Sequence, residues 1–220
     1  MAMNTSSKEL LESIADERRQ LVALLEAFTP SQWGHASLCD GWTNRHVVAH
    51  LTMGFIPMPQ FMWRMIKARG DFNRAADVYA KEKALQGTAA LVDLLRTNAA
   101  HRFKPPGMGY EAPLSDVMMH GIDIRRPLGI IRAPMDSATE SKRWRTVLES
   151  TAQPKNQKFF KNDIGGVSLQ ATDADWTHGT GPVVRGTSED LALLLGRRCK
   201  TDADFAVLSG EGVAILKART

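Results

Sequence analysis

Only two cysteines, Cys39 and Cys199, occur in 220 residues, which excludes a disulfide scaffold and points to a reducing compartment. No run of about 18 apolar residues exists, so a membrane-spanning helix is not expected. Met1 to Asp16 carries polar and charged residues where a signal peptide needs an unbroken apolar stretch, so a cytoplasmic protein is the default expectation. The two tyrosines and eight phenylalanines are spread thinly, and no basic stripe interleaved with aromatics offers itself to nucleic acid. Lys and Arg, 28 against 24 Asp and Glu, gather in short groups such as Arg125-Arg126, Lys142 to Arg145 and Arg197 to Lys200, which read as solvated faces. Neither a nucleic-acid nor a membrane partner is expected. A phosphate-binding glycine loop and a serine-nucleophile motif are also missing.

What is present is ordinary globular material, 43% apolar and 24% charged. Leu10, Ile14, Leu21, Leu25 and Phe28 repeat at helical spacing after Ser6 and Glu9, a capping-box pair. Thr43 is placed to cap a second helix carrying Val47, Val48, Leu51 and Phe55, and Pro57 and Pro59 end or kink it. Helical character resumes from Gln60 to Arg69 and again over 75–102, with a break at Gly87-Thr88. Pro113 suits the first position of a helix through Leu114, Val117, Met118, Ile122 and Ile124. Met53, Met58, Met62, Met65, Met118 and Met119 read as core filling. After a helix at about 137–151 the pattern shifts: Val167 to Ala171 alternates as a half-buried strand, Val183-Val184 suggests another, and Thr187 with Asp190 opens the apolar helix Leu191 to Leu195. The expected fold is mainly α, a four-helix bundle over residues 1–155 followed by a small α+β domain over 156–220.

Of six histidines, only His50 and His120 lie inside strongly apolar helical stretches. Asp116 precedes His120 by four residues, so carboxylate and imidazole share one helix face about a turn apart. His50 on a facing helix would complete two imidazoles and a carboxylate, the usual ligand set of an open divalent site, most often zinc. The same spacing also suits a helix-surface pair beside a core histidine, and the residues alone leave both readings open. His46 reads as a solvated residue or as a donor one turn from His50, and Cys39 as a small buried residue.

Trp33 with S-L-C-x-G-W-T-x-R-x-V-V-A-H-L from Ser37 to Leu51, and L-S-D-V-M-M-H-G-I-D-I-R-R-P-L-G from Leu114 to Gly129, resemble the mycothiol-dependent maleylpyruvate isomerase family, within the DinB-like group of metal-binding bundles. A-T-D-A-D-W from Ala171, G-P-V-V-R-G from Gly181 and D-L-A-L-L-L-G-R from Asp190 resemble its small second domain. The resemblance implies a divalent metal, usually zinc, on His50, Asp116 and His120, with mycothiol or a related low-molecular-weight thiol as cofactor. It implies an isomerase or thiol S-transferase acting on a small electrophile. The family's characterised isomerase has glutamate where Asp116 stands. An acidic substrate needs a cation, and Arg185 and Arg197, within the second-domain motifs, are the candidates for substrate binding. The rival reading is a metal-binding or sensing module without turnover.

Overall fold

Ile14, Leu21 and Leu25 are buried along one stripe of α1 (Thr5–Glu26), the face that the spacing of apolar residues anticipates. The computed structural model describes residues 5–219, and Ser6 lies inside α1 rather than at a cap. A short helix, α2 (Pro30–Gly34), follows under a Thr29–Gln32 capping box. Then come α3 (Asn44–Leu51), a 3-10 turn over Thr52–Phe55, α4 (Met58–Lys67), α5 (Phe72–Ala84), α6 (Thr88–Thr97) and α7 (Glu111–Arg125). Pro113 stands in the first turn of α7 but not at its first position, which Glu111 takes; a missing N–H is tolerated anywhere in that turn.

Helix α1 packs on α6 and α7, and α3 packs on the same two, so the four close a bundle, with α5 laid against α3. The end of α3 is tied to α5 by a buried hydroxyl pair, Thr52 Oγ1 and Tyr79 Oη at 2.8 Å. The core holds Met53, Met118 and Met119, but Met58 and Met62 are 45% and 46% exposed, against the core-filling expectation. The reason is helical geometry. Phe61 in α4 and Ala68 just after it are buried, and residues 58 and 62 fall on another arc of the helix.

A second compact unit begins at Pro134, not near residue 156. The boundary moves because α8 (Ser137–Thr151) packs on α10 (Ser188–Leu195) and so falls in the second unit. The unit also holds α9 (Pro154–Phe160), β1 (Ser168–Ala171), β2 (Thr177–Gly179), β3 (Val183–Gly186), α11 (Asp202–Phe205) and α12 (Gly212–Lys217). Strand order is β2-β1-β3; β1 runs antiparallel to β2 and parallel to β3, with Leu169 opposite both His178 and Val184. Leu169 and Val184 are fully buried, as are Leu191 and Leu195 of α10. Thr187 caps α10 by accepting the Asp190 N–H, and Asp173 accepts both the N–H and the hydroxyl of Ser188 at 2.7 Å. The protein is thus mainly α with a small C-terminal α+β part.

Candidate metal centre

His50 stands in the last turn of α3, and Asp116 and His120 occupy successive turns of α7, the helix against which α3 packs. That packing brings the three side chains to one point. Nε2 of His50 and Nε2 of His120 each lie 3.5 Å from Oδ1 of Asp116, and the imidazole centroids are 4.9 Å apart. One donor atom from each residue lies within 4.8 Å of the others. Ligand bonds of about 2.0 to 2.2 Å in tetrahedral directions set donors about 3.4 Å apart, so the two 3.5 Å separations fit a single small divalent cation. His50 and His120 are nearly enclosed, whereas the Asp116 side chain is 45% exposed.

His120 is held from its other side. Its Nδ1 lies 2.8 Å from Oδ2 of Asp123, a fully buried carboxylate one turn further along α7. With the proton on Nδ1, the Nε2 lone pair is left facing Asp116, the orientation that carboxylate–imidazole pairs give to metal-binding histidines. Cys39 Sγ donates to the same Oδ2 at 3.1 Å and sits 3.7 Å from His120 Nδ1. These three also cluster, but the 2.8 Å contact is hydrogen-bond length and too short for two ligands of one ion. Cys39 gets there through a tight loop. Gly41 adopts a φ of 73°, Trp42 N–H closes the turn on Cys39 O, Ala36 bridges Thr43, and Leu38 N–H donates to Asp123 O. Cys39 is half-buried and bonded here, where the sequence reading has a small buried residue.

The same loop sets Trp42 against His50, ring centroids 5.3 Å apart, and Trp42 Nε1 donates to Asp77 at 2.9 Å. Phe72 meets His50 edge-on at 6.4 Å. His46 is not among the clustered donors: its Nδ1 accepts the Thr43 N–H at 3.1 Å and caps α3. Burial lowers the His46 imidazole below its ordinary range, with Lys81 and Arg45 adding to the effect. Burial works to lower His120 too, but its bonds to Asp123 and Cys39 and the charge of Asp116 outweigh that and hold it well above its ordinary range. Desolvation among its neighbours works to raise Asp116, and His50, His120 and Arg18 outweigh it, keeping the carboxyl below the usual range. Arg18 is pushed down to about 10 by burial and donates to the carbonyls of Asn98, Ala99 and His101 at the end of α6.

Residues 14–105, which carry His50 and the Cys39 loop, match the family model of the mycothiol maleylpyruvate isomerase N-terminal domain. Over that stretch the bundle is similar to that family. Among solved structures, the mycothiol-dependent maleylpyruvate isomerase shares the fold at a TM-score of 0.59 and 16% identity, over 93% of this chain and 92% of that one. A histidine-to-alanine mutant of that enzyme matches at 0.56 with the same identity and coverage. No curated protein sequence matches. At such identity the likeness is one of fold. Asp116, His120 and Asp123 lie on α7, beyond the stretch matching the mycothiol maleylpyruvate isomerase domain, and join it through packing alone.

Arg185 and Arg197 are both exposed residues of the second unit. Arg185 lies on β3, where its backbone exchanges hydrogen bonds with Ser209, and Arg197 follows α10 at a φ of 58°. Sequence reasoning passed over Asp123. Its signal was available as a carboxylate three residues after His120, on the side away from Asp116.

Proposed function

We propose that the chain is a divalent-metal- and thiol-dependent isomerase or thiol S-transferase acting on a small electrophile, with His50, Asp116 and His120 as ligands and zinc as the metal. The observation that carries this reading is the convergence of two imidazole nitrogens on one carboxylate oxygen at 3.5 Å, inside a bundle similar to the mycothiol maleylpyruvate isomerase family. A divalent cation held there favours the thiolate, the nucleophilic form of a thiol, at neutral pH. The chain supplies the rest. Asp123 fixes the His120 tautomer, Trp42 and Phe72 wall the His50 ring, and Asp116 lies on the solvent side, from which thiol and electrophile approach. Three donors with one of them exposed favour an open coordination position over the closed shell of a purely structural or sensing site. Arg185 and Arg197 are assigned to a substrate carboxylate, a role open to exposed guanidinium groups.

Maleylpyruvate and mycothiol, named for the enzyme of similar fold, are the first substrate and thiol to test. Protein purified without chelator is expected to hold stoichiometric divalent metal and to turn over the substrate only when thiol is present. Metal-replete protein with no thiol-dependent turnover of maleylpyruvate or simple electrophiles would return the site to the sensing reading. Failure to bind zinc at all would remove the ligand assignment.

The pH dependence has a definite sign. In the metal-free protein a cation must displace the proton held by His120, so zinc affinity is expected to rise with pH until that proton is gone. The raised imidazole contributes to metal-free stability below its unfolded value of about 6.5, and that contribution fades as pH climbs through the folded value. Thermal unfolding across this range, with and without zinc, should therefore show the zinc-induced increment widening with pH. A constant increment would contradict the role given to His120.

A further inference from the structure

Helix α4 carries two apolar faces, and the core covers one of them. Phe61 and Ala68 are buried, with Met65 packed beside them, while Met58, Met62, Trp63 and Ile66 are 45%, 46%, 56% and 65% exposed. At 100° per residue these four fall on one continuous arc of about 140°. Val78 of the adjoining α5, 44% exposed, extends it, and a groove of about 230 Å³ runs between the two helices, lined by Trp63, Arg64, Lys67, Arg74 and Val78 among others. From Pro57 to Arg74 the chain carries four cations, Arg64, Lys67, Arg69 and Arg74, against one carboxylate, Asp71. Arg64 is paired with Glu82 at 2.9 Å, and Asp71 caps α5. Lys67 lies over the Trp63 ring at 5.3 Å, and neither it, Arg69 nor Arg74 forms an ion pair among the described residues.

We propose that this face docks on an anionic phospholipid surface, with Met58, Met62, Trp63 and Ile66 entering the boundary between headgroups and acyl chains and Lys67 and Arg74 meeting lipid phosphates at the groove. An exposed apolar arc edged by lysine and arginine, with tryptophan at the junction, is the pattern of a helix lying in a membrane interface. Charge complementarity selects the occupant. A second copy would bring the same three unneutralised cations to the rim of its own interface, whereas an anionic bilayer neutralises them. Among the described residues no helix is long and apolar enough to cross a membrane, so the contact is peripheral. The sequence reading expects no membrane partner for want of a long apolar run, and it assigns Met58 and Met62 to the core. This inference is independent of the metal centre.

The test is co-sedimentation of the full chain with vesicles of phosphatidylglycerol and phosphatidylcholine, set against phosphatidylcholine alone. Binding is expected only to the anionic vesicles, fading as ionic strength rises toward about 1 M, where the Debye length is about 3 Å. Met62→Ser with Ile66→Ser, and separately Lys67→Glu with Arg74→Glu, should each weaken it by about tenfold or more. Ile131→Ser, which removes a 90% exposed apolar side chain elsewhere, should leave it unchanged. Circular dichroism on every variant separates loss of binding from loss of fold, because all these side chains are surface groups. Equal binding to neutral vesicles, no binding at all, or undiminished binding by the folded double variants would overturn the proposal. So would a lipid-free dimer abolished by Met62→Ser with Ile66→Ser, which would give the face to a second copy.

Discussion

Replacing His120 with alanine is expected to lower metal affinity by at least about a hundredfold and to remove thiol-dependent turnover while α7 stays helical. Alanine is the strongest helix former, and His120 sits well inside α7, so the backbone has no reason to unwind. The loss is twofold. One of three donors disappears, and Asp123, fully buried, is deprived of its imidazole partner at 2.8 Å. Removing one partner of a buried charged pair costs roughly 3–5 kcal/mol, so unfolding in urea should show a clear drop beside the chemical defect. Equilibrium dialysis against zinc reads the first effect, and a thiol-dependent assay reads the second. A variant that keeps its metal would mean that His120 is not a ligand.

Asp116→Glu is the more discriminating change, because the resemblance places glutamate there in the characterised isomerase. Two outcomes are open in principle: the longer side chain restores a stronger site, or it overshoots one fitted to aspartate. The geometry decides for the second. Oδ1 of Asp116 is equidistant from both Nε2 atoms at 3.5 Å, the spacing a tetrahedral ion needs, and a further methylene displaces the carboxylate by about 1.5 Å. Zinc affinity is expected to fall about tenfold, with turnover falling alongside. Titration calorimetry on both proteins checks it, and a glutamate variant that binds more tightly would show that α3 and α7 stand further apart in the working site.

The trio was legible because each signal is local to a helix: a carboxylate and an imidazole at spacing four, and a histidine embedded in Val-Val-Ala-His-Leu. Asp123 has an equally local signal and was missed, since His120 was paired only backward, to Asp116. Cys39 carries no such signal. It reaches His120 through a turn whose fold depends on Gly41 and on the Leu38 bond to a helix 85 positions along the chain, and no periodicity encodes a contact of that range. The domain boundary escaped for a related reason. An amphipathic helix such as α8 announces that one face is covered but not which partner covers it, so its own pattern is compatible with either unit. Met58 and Met62 show the converse, apolar residues at helical spacing whose face is bare.

The Leu38 amide offers a way to watch the centre without touching it. Its proton is bonded to the main-chain oxygen of Asp123, the residue whose side chain grips His120 and Cys39. The loop cannot lift from α7 without freeing that amide and withdrawing the cysteine together, so opening of the loop and loosening of the imidazole are one event. Deuterium uptake at a single backbone position therefore times the opening of the whole latch, and an occupied centre should slow it in proportion to the population it holds closed.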